Sequence, residues 1–229
     1  MNEMTTRADR STGTGRGRRA RLSRDLVLRA AIALADGGGL DAVTMQAVGR
    51  RLGVEAMSLY RHVRNKDDIL DGIVDLVFSE IDLPASGTPW RSAMRRRAVS
   101  ARAALARHPW AVGRLEAAKQ PGPASLRHHD RVLGILLAGG FSSPAASHAY
   151  NLLDSYVFGF AIQEQSLPIA DPASMQEFGG AFLERLPETE FPHLAAVAAE
   201  LVAAGYDYGS EFEFGLDLIL DGIERSLAS

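Results

Sequence analysis

The stretch TMQAVGRRLGVEAMSLYRHVRNK, residues 44–66, decides the fold of this chain. Thr44 is of a residue type that caps helices, and apolar residues follow it at helical spacing. Gly53 interrupts that pattern, and a second, very short helix is predicted from Val54 to His62. Two short helices joined by a tight, glycine-containing turn are typical of the helix-turn-helix unit.

The spacing within this stretch has a physical reason. Val48 and Leu52 of the first helix must meet Leu59 of the second to hold the two at a steep angle. The second helix then keeps a free outer face, and a helix of that width fits the major groove of DNA. The residues expected on that face are Glu55, Met57, Ser58, Tyr60, Arg61 and His62. On spacing alone, an ordinary corner between two helices stays open as the alternative.

The charge distribution favours the DNA-binding interpretation. Residues 1–66 hold 13 Lys+Arg against 6 Asp+Glu, a balance of +7, whereas residues 67–229 hold 12 against 22, a balance of −10. A basic head on an acidic body suits a protein that presents one end to a polyanion. Residues 1–22 are polar and arginine-rich without periodicity, which predicts a disordered basic arm. An arginine-rich tail without a partner remains the alternative for the arm alone.

The rest of the chain predicts helices, so the fold class is all-α. Ser23 is expected to cap the first helix, and Asn65 to cap a helix from Lys66 to about Ile81, with Asp68 as its capping-box partner. The segment LPASGTP, residues 83–89, is the best domain boundary. Residues 174–192 are ambiguous. The predicted domains are a basic arm (1–22), a helix-turn-helix domain (23–66), a connecting helix (67–81) and a helical ligand-binding and dimerisation domain (89–229).

Several functional classes are disfavoured by what the sequence lacks. The chain has no cysteine, which excludes disulfides, thiolate metal sites and cysteine nucleophiles. No apolar run approaches the roughly 18 residues that span a bilayer, and no signal peptide is evident, so a cytoplasmic protein with no membrane partner is expected. His128 and His129 are adjacent and point about 100° apart on a helix, which is a poor metal pair. We expect no enzyme, no metal and no cofactor; a helical adaptor without DNA binding is a minor alternative.

The first 81 or so residues resemble the N-terminal domain of the tetracycline-repressor (TetR) family. The resemblance is carried by Thr44, by Leu52-Gly53-Val54, and by Leu59-Tyr60-Arg61-His62-Val63 followed by Asn65-Lys66. It reaches the C-terminal half, where FEFGLDLILDGIE (Phe212 to Glu224) is similar to the closing helix of the tetracycline repressors proper. Gly140-Phe141 and Glu164-Gln165 also match that subgroup, while residues 166–208 match it poorly.

The resemblance implies a role for each matching residue of the head. Tyr60, His62 and Lys66 would contact phosphates, and Thr44 would cap its helix and touch a phosphate. The residues implied to face bases are Gln46, Met57, Ser58 and Arg61. Arginine and glutamine are the natural bidentate partners of guanine and adenine, whereas methionine offers only apolar contact. Phosphate contacts position the protein and base contacts specify the sequence, so the operator sequence does not follow.

The implied function is a ligand-responsive repressor that binds a palindromic operator as a homodimer and is released by a small-molecule effector. The two long helices, about Ser143–Gln165 and Glu211–Ala228, are apolar around much of their surface and would pair with their copies in a four-helix bundle. An entirely intramolecular core is the alternative. A DNA-binding regulator without an effector is the alternative function.

An apolar effector pocket is predicted in the C-terminal half. Its expected walls are Trp90, Met94, His108, Trp110, Tyr156 and Phe160, with Gln120, Gln163 and Glu164 as polar anchors. Taken alone, each of these residues is more typical of core packing than of ligand contact. The segment Lys119-Gln120-Pro121 departs from the Thr-Arg-Pro of the tetracycline-sensing members, and Asp82 stands where those members have histidine. Tetracycline is therefore not the expected effector.

Overall fold

The computed structural model describes residues 21–117, 121–167 and 172–227, which form helices and no strand. The all-α class predicted from the sequence is confirmed. A 3-10 turn, Leu40–Ala42, follows the first helix. In chain order the helices are α1 (Arg24–Gly38), α2 (Met45–Leu52), α3 (Ala56–Leu59), α4 (Lys66–Glu80), α5 (Trp90–Arg107), α6 (Ala111–Ala117), α7 (Pro123–Ala138), α8 (Ser143–Ser166), α9 (Pro172–Arg185), α10 (Pro192–Ala204) and α11 (Tyr208–Leu227).

The predicted N-caps are confirmed at three helices. The side-chain oxygens of Ser23, Thr44 and Asn65 each accept a backbone N–H three residues on, at 3.3, 3.1 and 2.8 Å. These bonds satisfy donors that the first turn of a helix leaves free. The capping box is completed differently from the prediction. The carboxylate of Asp68 accepts from the backbone N–H of Arg64, whereas a capping box would have it accept from the backbone N–H of Asn65.

Three element boundaries differ from the sequence expectation. Helix α3 covers only Ala56–Leu59, and the chain turns through residues 60–62 instead of continuing as helix. The ambiguous region holds α9, which ends at Arg185 before a turn that leads to Pro192. The closing helix begins at Tyr208, three residues earlier than expected. Proline at the first position of α10 suits a helix start, since its missing N–H has no partner there in any case.

The head of the molecule, residues 23–73, has its own core. Helices α1 to α3 and the first half of α4 converge on it, with Val48 and Leu59 fully buried as the helix-turn-helix spacing predicted. The buried members of this cluster are Val27, Leu28, Ala30, Ala31, Ala35, Val43, Val48, Leu59, Val63, Ile69, Leu70 and Ile73. This shared core fixes the direction of α3 relative to α4.

The second core lies in the body, between the second half of α4 and helices α5, α7, α8 and α11. Two arginines of α5 form ion pairs with α11: Arg91 pairs with Asp221, and Arg95 pairs with Asp217. Helices α9 and α10 pack mainly against each other. None of the described helices is both long and apolar enough to cross a membrane.

Candidate nucleic-acid interface and ligand cavity

The two helices of the helix-turn-helix pack closely at Gly49, a residue that the sequence spacing did not single out. Gly53 occupies the turn in the left-handed conformation, with φ 67° and ψ 36°, as its residue type predicted. One turn earlier, Gly49 is buried, and its carbonyl accepts a 3.0 Å bond from the N–H of Val54. A Cβ on Gly49 would stand 2.8 Å from the carbonyl oxygen of Val54 and 3.3 Å from the nitrogen of Ala56. The close approach of α2 and α3 therefore needs glycine at position 49.

The residues implied to contact DNA lie at the surface of this unit. Met57 is 76% exposed and Tyr60 48% exposed, whereas Leu59 between them is fully buried. Thr44, Gln46 and Arg61 are exposed, and Ser58, His62 and Lys66 are half-buried. None of the eight is in a core cluster. These side chains are thus available to a partner, and their individual DNA contacts stay predictions.

Asp68 ties the head together at the start of α4. Both of its carboxylate oxygens accept from the Arg24 guanidinium of α1, each at 2.9 Å, and Oδ2 also accepts from the N–H of Arg64 at 2.8 Å. Arg24 in addition donates to the carbonyl of His62. The hydrogen bond from Arg24 lowers the pKa of Asp68 to about 2, with help from the N–H of Arg64. One buried carboxylate thus fixes α1, α4 and the chain after α3.

Replacement of Asp68 by asparagine is expected to lower the free energy of unfolding by about 2 kcal/mol at pH 7. Because the folded-state pKa lies below the unfolded-state value near 4, this stabilisation is complete above about pH 4. It is lost as the pH falls toward 2. Urea unfolding of the wild type and Asp68→Asn at pH 7, 4 and 3 measures it, with the surface pair variant Asp25→Asn as the unaffected control. A difference that stays constant down to pH 3 would contradict the assignment.

A cavity of about 690 Å³ lies in the body, between α4, α7 and α8. Such a volume is within the usual range for small-molecule sites. The lining residues come from these helices and from the turn before α7: Asp71, Val74, Asp75, Phe78, Pro121, Gly122, Ser125, His129, Tyr150, Asn151, Asp154, Ser155, Phe158, Gly159 and Ile162. Helix α4 therefore carries residues that line the cavity and also Asp68, whose contacts hold the head together.

A buried charge network stands behind the α8 wall of the cavity. Arg97 of α5 is 2% exposed, and its Nη2 lies 2.6 Å from Oδ1 of Asp154. Its Nε donates to Nε2 of His128 at 2.8 Å, and its guanidinium lies 5.0 Å from the ring centroid of Tyr150. Burial lowers the pKa of His128 to about 3, so this imidazole is neutral and accepts the bond. Burial, together with Asp154, raises the pKa of Tyr150.

The residues predicted to form the effector pocket do not line one common cavity. None of the eight that lie in described segments lines the α4–α7–α8 cavity, and Gln120 lies outside the described residues. Trp90 packs edge-on against Phe141 and lines a separate cavity of about 420 Å³. Met94 is 1% exposed within the body core. These nine residues therefore do not share one of the described cavities, and their role as ligand contacts stays a prediction.

His108 and Trp110 instead join the body to the head. His108 caps α5, and its Nδ1 lies 2.7 Å from Oδ1 of Asp36, near the end of α1. Nε1 of Trp110 donates to the same oxygen at 2.7 Å, and Nε2 of His108 lies 3.2 Å from Glu80 of α4. The two residues thus form polar contacts between α1, α4 and the end of α5.

The four remaining candidates pack α8 against its neighbours. Tyr156 and Phe160 face Phe212 of α11, with ring centroids 5.5 and 5.1 Å away. Glu164 pairs with Arg102 of α5, and Gln163 accepts from the hydroxyl of Tyr208. The geometry of these residues is that of interhelical packing. Their role as ligand contacts has no support in the described cavities and stays an untested prediction.

Sequence reasoning missed the α8 residues that do line the cavity. Tyr150, Asp154, Phe158 and Ile162 recur at intervals of four, which places them along one face of the helix. Tyr156 and Phe160, which the sequence analysis selected, lie on another face. The sequence did contain a signal, because Asp154 lies between Tyr150 and Phe158 at helical spacing. Where this face of α8 points, however, depends on which side of the helix packs against α4 and α7.

The His128-His129-Asp130 segment does not form a metal site in the described residues. His128 faces Arg97, and Nδ1 of His129 lies 3.3 Å from the hydroxyl of Tyr150. Within residues 21–117, 121–167 and 172–227, no three histidine, aspartate or glutamate side chains are placed to hold a metal ion.

Comparison with known proteins agrees with this architecture. Residues 27–73 match the family described as bacterial regulatory proteins, tetR family, and residues 83–227 match the tetracyclin repressor-like C-terminal domain. The chain is 31% identical over 222 residues to the HTH-type transcriptional repressor DrrR1 of Streptomyces coeruleorubidus, covering 93% of this chain and 81% of that protein. It is also 31% identical to the class A tetracycline repressor of transposon 1721 from Escherichia coli, covering 90% and 92%.

Solved structures give the same result. The TetR family protein ActR of Streptomyces coelicolor, in complex with actinorhodin, superposes with a TM-score of 0.75 at 26% identity, covering 92% of this chain and all of that one. The two family matches together span both the head and the body. This chain belongs to the tetracycline-repressor family of bacterial transcriptional regulators.

Proposed function

We propose that this protein is a homodimeric repressor that binds a palindromic operator and is released by a small molecule in the α4–α7–α8 cavity. The proposed DNA-binding domain is residues 23–66, preceded by a basic arm (1–22), followed by a connecting helix (67–81) and by a ligand-binding and dimerisation domain (89–229). The observation that carries the proposal is helix α4, which holds Asp68 in the head and Asp75 on the cavity wall.

The exposed surface of the helix-turn-helix supports the DNA-binding part. Met57, Tyr60 and Arg61 project from a unit whose two helices are locked by Gly49 and Leu59. A single unit reads too few base pairs to select one site, so two copies on an inverted repeat are the usual solution. Selection of bound sequences from a random DNA pool should yield two inverted half-sites with centres about one helical turn, or a multiple of it, apart.

Dimerisation through α8 and α11 is supported by apolar side chains that face outward on both helices. Leu152 is 48% exposed on α8, and Phe214 is 64% and Leu218 54% exposed on α11. Apolar faces of this kind on neighbouring helices favour burial against a second copy. A selected operator with only one half-site would contradict the dimer.

The ligand-release part is supported by the reach of α4. Lys66 and Asp75 are nine residues apart, about 14 Å along a helix. A ligand that shifts the cavity end of α4 therefore moves the contacts of Asp68 with α1 and with the chain after α3. To empty the operator, the ligand must favour the DNA-incompetent arrangement by several kcal/mol.

The assignment of base and phosphate contacts predicts different effects for two substitutions. Arg61→Ala is expected to reduce discrimination at one base pair by about 1–3 kcal/mol. Lys66→Ala should weaken binding to cognate and random DNA alike and lower the salt dependence by about one phosphate contact, a slope of about 0.9. Titration of the selected operator and a scrambled duplex at several salt concentrations measures both. Arg185→Ala on α9 removes the same charge from the body and serves as the control. Equal effects of Arg61→Ala on both duplexes would refute its base contact.

A further inference from the structure

The wall of the α4–α7–α8 cavity is acidic. Three carboxylates line it, Asp71 and Asp75 from α4 and Asp154 from α8, and no lysine or arginine is among the lining residues. Two guanidiniums stand next to it: Arg97 pairs with Asp154, and Arg114 pairs with Asp71 at 2.9 Å. Three carboxylates against two guanidiniums leave one negative charge, which is the charge of Asp75.

Asp75 forms no ion pair with any described residue. Its Oδ1 accepts from the N–H of Ser125 at 2.9 Å, and its Oδ2 accepts from the N–H of Ala124 at 3.1 Å. A carboxylate has about four acceptor sites, so each oxygen retains capacity for another donor. Asp154, in contrast, is engaged by its partner, because Nη2 of Arg97 lies 2.6 Å from its Oδ1.

The remaining wall is largely apolar and aromatic. Val74 and Phe78 of α4 and Tyr150, Phe158 and Ile162 of α8 belong to it. A bound molecule that fills this space removes water from the carboxylates, which is costly unless the molecule supplies a compensating charge. Aromatic faces add a further attraction for cations and none for anions.

We propose that the effector is a lipophilic cation: an amine, or a quaternary ammonium or phosphonium, on an apolar or aromatic body. The proposal rests on the proposed function of the cavity as the effector site and names the chemical class of its ligand. An anion would meet a net negative wall with no lysine or arginine among its lining residues to receive it. A neutral molecule would dehydrate Asp75 without replacing the hydration that it loses.

The position of Asp75 connects this charge to the head. The same carboxylate faces a second, smaller cavity formed with Arg24 and Leu28 of α1, so it lies between the ligand site and the contacts that hold the head. Gly122 makes this arrangement possible, because a Cβ there would stand 2.3 Å from the carboxyl carbon of Asp75. A cation held by the free acceptor sites of Asp75 lies beside the bonds from the two α7 amides, and thereby bears on how α4 is held against α7.

The test compares three probes of similar size and different charge: tetraphenylphosphonium, triphenylphosphine oxide and tetraphenylborate. Binding to the full-length protein is measured by isothermal titration calorimetry. Tetraphenylphosphonium is expected to bind at least tenfold more tightly than either other probe. Asp75→Asn should reduce that preference at least tenfold. Asp67→Asn is the control, because it removes the same charge from a part of α4 that does not line the cavity, and it should leave the preference unchanged. Gly159→Phe, which places a ring at the cavity wall, should abolish binding of the cation.

The possible outcomes separate the ligand class from the proposed function. A preference for the neutral or anionic probe, binding of the cation that survives Gly159→Phe, or no binding of any probe overturns the cation assignment. If tetraphenylborate or the oxide binds in the cavity and releases the selected operator, the repressor function stands without the cationic class. If the phosphonium binds as expected but leaves operator affinity unchanged at saturation, the cationic class of the ligand stands. The proposed release of the operator by the ligand is then refuted.

Discussion

Replacement of Gly49 by alanine is expected to lower operator affinity by on the order of 2–6 kcal/mol, which corresponds to the loss of about two base contacts. The added methyl group would stand 2.8 Å from the carbonyl oxygen of Val54, and backbone atoms cannot rotate away as a side chain does. The chain before α3 must therefore move, and the N–H of Val54 loses its bond to the Gly49 carbonyl. Overpacking of this kind also costs about 1–3 kcal/mol of stability.

Fluorescence anisotropy with the selected operator measures the loss of affinity, and circular dichroism verifies that the helices are retained. Gly37→Ala in α1 is the matched control, since its added Cβ would meet no atom within 4 Å beyond the neighbouring backbone of its own helix. That control should bind DNA as the wild type does and gain up to about 1 kcal/mol of stability. Operator binding by Gly49→Ala at wild-type affinity would show that α2 and α3 do not pack as described.

Replacement of Arg97 by methionine is expected to lower the free energy of unfolding by about 3–5 kcal/mol. The change leaves Asp154 without its cation, although its side chain is only 14% exposed, and it removes the donor to the neutral His128. A buried carboxylate without a partner either bears a large desolvation cost or takes up a proton. Urea unfolding at pH 7 gives the size of the effect.

The double variant Arg97→Met/Asp154→Leu separates the two contributions. Apolar residues of similar size in place of a buried ion pair are often neutral or stabilising, so the double variant should recover most of the lost stability. Recovery would show that the single variant suffers from the orphaned carboxylate. A double variant as unstable as Arg97→Met alone would mean that the arginine acts mainly through its packing on Tyr150.

The head was largely predictable because its structure is decided by neighbours in sequence. Helix caps act over three residues, and the turn at Gly53 needs only a residue that tolerates a positive φ. The burial of Val48 and Leu59 follows from periodicity within twenty residues. The requirement at Gly49 escaped notice, because its cause is the carbonyl of a residue across the turn rather than a local pattern.

The body was predictable as helices but not as a site. The sequence by itself determined the caps, the helical periods and the helix-turn-helix, because each depends on residues that lie close together in the chain. Only the tertiary structure decided that α8 presents Tyr150 and Asp154 to the cavity and Phe160 to α11. Both faces of that helix are apolar and aromatic, so composition does not distinguish a wall from a core. The direction is set by which helices pack on each side, and that packing joins residues as far apart in the sequence as His129 and Tyr150 or Phe160 and Phe212.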